Sequence, residues 1–467
     1  MSKEVETKDG HIYPLEEKIN RLKPEDFKKA LQIFKEKINH EYAAYLNSCV
    51  HCGLCADSCH YFLTYGDIKS IPAYKLDLIV SVFKGAAPPT HNAAQSAEKS
   101  RKSGNVRFFR ELYSKIVGAK DFNHQMVREW VDSLYGRCSM CGRCSINCSI
   151  GLNIAYLIRM ARGVLTAIGL TPPGLKSTVD TAIEKGNNMG IPKEDWIETV
   201  EWLEEEFQEE VDDPEATFPI DKKGAALFYT VNPREPMFFP LSISAVGKIF
   251  YAAKESWTFS SGNYDVTNYG LYDGNDKGAG IMSNRLVQSM EELGCKTLVL
   301  AECGHGYNSN RWEAPEWLRK KYSFEVKSIL EIVADYIREG RIKLEPSLNE
   351  KPITIHDPCN LVRLGGIVET QRYILKHAAK NVIEMIPNRQ KNFCCGGGGG
   401  QLAMTHFSER RLKVGKIKAD QIKETGAKIV ATPCHNCIDQ LMELNKHYKL
   451  GVEIKTICEI VANAIVV

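Results

Sequence analysis

The chain has 467 residues, 43% hydrophobic and 25% charged, a globular composition too long for one core, because a single core stops growing near ~250–300 residues. Its 60 basic and 58 acidic residues leave a net charge of +2, which, without a basic-and-aromatic stripe, excludes the electrostatic footprint of a nucleic-acid partner.

Residues 1–45 are expected to be an N-terminal helical segment. Lys3, Glu4, Glu6, Lys8, Asp9 and Glu16 are incompatible with the apolar centre of an export signal, so a cytoplasmic location is expected. No run approaches the ~18 apolar residues of a membrane span, and any service to a membrane is therefore peripheral. Leu22, Phe27, Leu31, Phe34 and Ile38 form a helical apolar stripe, with Pro24 placed near the helix start. Sixteen cysteines in a cytosolic chain do not read as a disulfide framework, because reduced thiols stay available to metals.

Two copies of one ligand run follow, Cys49-x2-Cys52-x2-Cys55-x3-Cys59 and Cys138-x2-Cys141-x2-Cys144-x3-Cys148. Three thiolates at these steps wrap one [4Fe-4S] cubane, and in two-cluster ferredoxins the fourth cysteine crosses to the other cluster. Cys49, Cys52, Cys55 and Cys148 are thus assigned to one cluster, and Cys138, Cys141, Cys144 and Cys59 to the second. His60 and Ser149 stand where the ferredoxin run carries proline, without touching a ligand; His51 and His60 read as polar neighbours. Structural zinc, which wants two separated CxxC pairs, fits the doubled third and fourth cysteines poorly. Between the runs, Gly85 to Gly104 is rich in Ala, Pro, Ser, Asn and Lys and is expected to be an exposed loop.

Apolar helices are expected around Ile154 to Ile168 and Ser177 to Ile183, then an acidic run, Glu201 to Asp213, that reads as a solvated helical face. From about Lys222 the pattern changes to short apolar strands, Ala225 to Val231, Thr297 to Ala301, Ile353 to His356 and Lys428 to Ala431, separated by helical stretches. That alternation implies βαβ units and a mostly parallel sheet. Laying Thr297 to Tyr307 over Lys428 to Ile438 exposes a long repeat, and hence two related lobes. Counting back from Cys434 reaches Cys395 and Cys359, whereas the same offsets from Cys303 reach Tyr264 and, within a residue, Tyr229.

The last lobe gathers His356-Asp-Pro-Cys359, Cys394-Cys395 before five glycines, and Cys434-His-Asn-Cys437. Adjacent cysteines diverge, so they suit different irons of a cluster better than one ion, and the glycines would let backbone N–H groups approach sulfide. Zinc at Cys434, Cys437 and Cys359, or a catalytic dithiol, are the alternatives. A phosphate loop lacks its Gly-Lys-Ser/Thr ending. Cys303 and His305 occupy the matching position of the first lobe and read as a thiol and a proton donor at a substrate cleft, or else as core residues. Cys295 and Cys458 lie in apolar, periodic surroundings and read as buried hydrophobes.

This order of elements over about residues 45–467 resembles the D subunit of heterodisulfide reductase. It is most similar to the cytoplasmic iron-sulfur subunits of the transmembrane redox complexes called Dsr, Hmc and Tmc, whose AECGH-like element is matched by Ala301 to His305. The resemblance implies a mixed α+β and α/β chain. Residues 46–220 would be a helical dicluster ferredoxin-like domain, 221–345 a degenerate CCG-type lobe, and 346–467 a CCG-type lobe with an iron-sulfur site. It also implies a noncubane [4Fe-4S] cluster on Cys359, Cys394, Cys395, Cys434 and Cys437, one rather than two because Tyr229 and Tyr264 stand where the first lobe would have cysteines. Electrons exchanged with an integral-membrane cytochrome or quinone-reactive subunit, at the inner face of the membrane, would act on a thiol or disulfide of a small molecule or protein. The alternative is an iron-sulfur subunit of a lactate or glycolate dehydrogenase fed by a flavoprotein.

Overall fold

A computed structural model describes residues 14–86 and 118–466. It divides into two compact units, Met1–Pro173 and Gly174–Val467. The expected loop beyond Ala86 lies outside the described residues. Gly85 itself closes the helix Pro72–Ala86, where a Cβ would stand 2.6 Å from the Lys120 carbonyl oxygen, so the chain passes only over a glycine.

The first unit is helical. The helix Pro24–Lys37 starts at its proline, carries Glu25 and Asp26 in its first turn, and buries Ala30 and Phe34. Phe34 meets Phe83 and Trp130 edge to face, at 6.3 and 6.0 Å between ring centroids. The helix His124–Trp130 runs into a π-helical turn, Val131–Gly136, one residue before the second cysteine run. Such a turn leaves carbonyls without their usual partners. The fully buried guanidinium of Arg162, on the helix Ile154–Ala167, satisfies them: it donates to the Leu134 carbonyl at 3.0 and 2.7 Å and to the Cys138 carbonyl at 2.8 Å.

The second unit contains two parallel four-stranded sheets of one topology. Strands β1 (Leu227–Tyr229), β2 (Trp257–Thr258), β3 (Thr297–Leu300) and β4 (Glu325–Ser328) take the order β2-β1-β3-β4. Strands β5 (Ile353–Ile355), β6 (Val382–Glu384), β7 (Ile429–Ala431) and β8 (Glu453–Lys455) take the order β6-β5-β7-β8. Parallel strands need long crossovers, which accounts for the helical stretches between them. One apolar core runs through both lobes, from Trp196 and Phe250 to Ile355 and Val461.

The division at Pro173 falls ahead of the anticipated boundary at 220. The cause is the helix Lys193–Val211, whose Trp196, Val200, Leu203 and Phe207 are buried in the core of the α/β unit, with Trp196 stacked on Tyr264 at 4.3 Å. Its many glutamates lie mainly on the opposite, solvated face.

Strand register corrects the counting of the repeat. Leu227 pairs with Thr297 in the first lobe and Ile353 with Ile429 in the second, so the second connection is six residues longer. With β3 laid on β7, Phe228 and Ile353 coincide, and the counterpart of Cys359 is Arg234. Both open a short helix after a proline, Arg234–Phe238 and Cys359–Val362. Tyr229 instead lies buried in β1. The register of β2 on β6 carries forward to place Gly270 and Leu271, rather than Tyr264, at Cys394 and Cys395.

Candidate metal centres

Cys49, Cys52, Cys55 and Cys148 line one cavity of about 350 Å³. Cys59, Cys138, Cys141 and Cys144 line another, of about 380 Å³. Both runs fold alike. His51 and Met140 have left-handed backbones with φ of 54° and 50°, followed two residues on by Gly53 and Gly142 at 83° and 72°. These positions turn backbone N–H groups toward sulfur; Met140 N donates to Cys138 Sγ at 3.3 Å.

The two cavities differ in setting. The first is open to solvent, with Cys52 exposed and Val50 and Ile150 at its edge. The second is the more enclosed by its walls, mainly buried residues such as His60, Tyr61, Lys75 and Ile158, although its four cysteines are each part-exposed. Burial pushes the Cys144 thiol well up, and repulsion from Cys141, Cys59 and Cys138 pushes in the same direction. Thiols that cannot all ionise together are what a bound multivalent cation relieves. Four sulfurs per cavity and inward N–H groups fit an iron-sulfur group in both.

In the second unit, Cys359, Cys395, Cys434 and Cys437 line a cavity of about 300 Å³ together with Gly397 and Gly398, and Tyr272, Gly304 and His305 from the first lobe complete its wall. Cys394 is buried next to it, its Sγ accepting from Gly396 N at 3.3 Å. Cys395 and Cys437 sulfurs lie 3.6 Å apart. The Cys394 and Cys437 thiols hold Cys395 well below the usual thiol range, and a hydrogen bond from Cys437 draws Cys434 down to about 7. Gly396 has φ of 103°, a backbone that only glycine adopts freely. His356 is buried with neither ring nitrogen hydrogen-bonded. It sits within 4.8 Å of the Cys395 and Cys437 sulfurs. Five buried thiols beside an imidazole without a partner fit a sulfur-rich metal group.

The segment Glu302 to His305 fastens the first lobe to this wall. Both carboxylate oxygens of Glu302 accept from the first backbone N–H groups of the helix Ile457–Ala464, Ile457 at 2.8 Å and Cys458 at 3.2 Å, while its carbonyl accepts from His435 N at 3.0 Å. His305 lines this wall with its ring buried. Its Nδ1 lies 3.4 Å from Cys303 Sγ and 3.5 Å from Asn436 Nδ2, and Tyr269 Oη donates to Asn436 Oδ1 at 3.2 Å, which fixes the amide's orientation. Nδ1 therefore accepts and the proton sits on Nε2, a buried atom with no hydrogen-bond partner on a residue of the cavity wall. Burial holds His305 uncharged, down to about 3, and pushes the Cys303 thiol well up. The pair thus presents a neutral N–H donor rather than a thiolate.

The first lobe has no room for a thiol at the counterpart of Cys437. Gly306, the counterpart of Cys437, would bring a Cβ to 2.4 Å from the Val266 carbonyl oxygen. Cys295 and Cys458 are buried, as anticipated. Two residues that spacing did not single out, Tyr272 and Lys75, complete these sites, while the imidazole of His356 joins them from the His-Asp-Pro-Cys element.

A helical unit with paired four-cysteine cavities, followed by an α/β unit with a buried cysteine cluster, defines an iron-sulfur protein. Residues 45–152 match the family model of a 4Fe-4S dicluster domain and residues 353–442 that of a cysteine-rich domain. The chain is 27% identical over 495 residues, 95% of its length and 84% of the relative's, to the "Hdr-like menaquinol oxidoreductase iron-sulfur subunit" of Archaeoglobus profundus. It is 24% identical over 428 residues, 90% and 94% of the two chains, to the D subunit of the "Dihydromethanophenazine:CoB--CoM heterodisulfide reductase" of Methanosarcina barkeri. It is also 23% identical over 420 residues, 85% and 55% of the two chains, to "EtfAB:quinone oxidoreductase" of Syntrophomonas wolfei. The chain is similar over most of its length to iron-sulfur subunits of heterodisulfide-reductase-like oxidoreductases, and this similarity with the two family matches supports an iron-sulfur electron-transfer role. No helix among the described residues is long and apolar enough to cross a membrane.

Proposed function

We propose that the chain is the cytoplasmic iron-sulfur subunit of a membrane-associated quinone or cytochrome complex. In this reading two [4Fe-4S] cubanes are held by Cys49, Cys52, Cys55 and Cys148 and by Cys138, Cys141, Cys144 and Cys59. A noncubane [4Fe-4S] cluster is held by Cys359, Cys394, Cys395, Cys434 and Cys437, and there a disulfide is reduced or a thiol pair oxidised. Iron-sulfur groups, when bound, supply electrons one at a time, whereas a disulfide takes two electrons and two protons to become two thiols.

The observation that carries this reading is the cavity shared by Cys359, Cys395, Cys434 and Cys437 with His305. The chain's own residues there bind and orient. His305 Nε2–H offers a hydrogen bond to a sulfur on which negative charge builds. Asn436, held by Tyr269, and Cys303 keep the ring in the tautomer that does so. Tyr272 and Gly304 close the wall, which keeps water from competing for that sulfur.

The test is anaerobic. Full-length protein is titrated with 2-mercaptoethanol and with its disulfide while cluster spectra are followed. The atypical C-terminal signal should respond and the two N-terminal signals should not. His305→Phe should keep all three signals and slow disulfide reduction roughly 10²-fold. The similarity to EtfAB:quinone oxidoreductase over 85% of the chain favours a second reading, electron input from a flavoprotein as in lactate or glycolate dehydrogenases without thiol chemistry. A C-terminal signal indifferent to thiol and disulfide would select it.

A further inference from the structure

The helix Pro72–Ala86 runs between the two N-terminal cavities and presents opposite charges to them. Lys75 is 1% exposed and lines the enclosed cavity with Cys59, Cys138, Cys141 and Cys144. Its Nζ donates to the Arg137 carbonyl and lies 5.6 Å from the centroid of the Tyr61 ring. No acidic side chain among the described residues pairs with it. The neighbouring guanidinium of Arg137 differs in this respect, because Asp67 at 2.5 Å and Asp132 at 3.1 Å neutralise it. Two residues along the helix, Asp77 points to the other cavity, where its carboxylate lies 2.8 Å from His51 Nε2.

A lysine is better solvated in water, and burying it without a counter-ion is costly. Adding an electron to a cluster makes it more negative, which a nearby buried cation favours and a nearby anion opposes. Asp77 is about half exposed, so water screens it and its influence is the weaker.

Resting on the two-cubane reading above, we propose that Lys75 is a potential-setting residue, which makes the cluster of Cys59, Cys138, Cys141 and Cys144 the better electron acceptor of the pair. An electron entering at the open cavity beside Cys52 then settles at the enclosed one. Lys75 touches neither substrate nor reacting sulfur; it positions charge.

The experiment is a potentiometric titration of the full-length protein, prepared anaerobically and followed by electron paramagnetic resonance. In Lys75→Met the midpoint of one cubane signal should fall while the other stays. Lys75→Arg, which keeps the charge, should restore it. Asp77→Asn should raise the midpoint of the other signal by a smaller shift. The proposal is overturned if neither midpoint moves, if both move equally, or if Lys75→Arg shifts as far as Lys75→Met. A wild type with fewer than two cubane signals would overturn the parent reading instead, and this one with it.

Discussion

Replacing Arg162 with methionine isolates what holds the second cysteine run in place. The guanidinium makes three hydrogen bonds to two main-chain carbonyls, Leu134 inside the π-helical turn and Cys138 just after it, and it lies 4.6 Å over the Tyr135 ring. Methionine fills a similar volume but takes the guanidinium's hydrogen bonds away from both buried carbonyls. Each such group costs about 1–3 kcal/mol, and the lost ring contact adds about 1 kcal/mol. The sum is about 3–7 kcal/mol, a large share of the ~5–15 kcal/mol that a domain has in total. Urea unfolding, followed separately by far-ultraviolet circular dichroism and by cluster absorption, measures it. Because the two units need not unfold together, only the transition that carries the N-terminal clusters should move. The enclosed cluster should be lost at lower urea than the open one. A shift below about 1 kcal/mol, or loss of the open cluster first, would refute the assignment of Arg162 as the support of the π turn.

Burial raises Asp265 from an ordinary 3.8 to about 7, although its carboxylate accepts from Asn188 N and Thr267 N. The folded chain therefore takes up a proton that the unfolded chain refuses between these values. That contribution is complete below pH 3.8 and is lost as pH rises through about 7. Asp265→Asn should flatten the fall in stability across this window, by at most about 4 kcal/mol, in denaturation midpoints measured at several pH values. An unchanged slope would place the titration elsewhere. Gly306→Cys restores a cysteine of the repeat yet should bind no additional iron and should cost about 1–3 kcal/mol, because its Cβ meets the Val266 backbone. Iron analysis and thermal unfolding of the purified variant check both halves.

The cysteine runs were legible because wrapping a cluster demands fixed short steps, and Cys49 to Cys59 and Cys138 to Cys148 repeat them. The parallel sheets were legible because buried strands such as β3 and β7 are short apolar runs between helical stretches. The pairing of lobes was visible in Cys303 and Cys434, but constant-offset counting chose Tyr229 and Tyr264 where register chooses Arg234 and Gly270–Leu271. Counting assumes connections of equal length, and only hydrogen-bonded strands show that one is six residues longer. The boundary at Pro173 was hidden for a related reason: the apolar stripe of Lys193–Val211 says that it will be buried, not against which unit. Lys75 gave no sign at all. It sits in an apolar helix like any snorkelling lysine, and its role depends on Cys59 and Cys138 arriving from two other segments of chain.

The central claim is that five thiols of the second lobe hold a sulfide-bridged metal group distinct from the two near the N-terminus. Iron, zinc and acid-labile sulfide analysis, combined with low-temperature electron paramagnetic resonance of anaerobic wild type and Cys395→Ala, tests it directly. The account expects iron and sulfide without zinc, two cubane signals in both proteins, and a third, atypical signal that Cys395→Ala abolishes. Zinc in place of iron, or a third signal that survives the substitution, would contradict it.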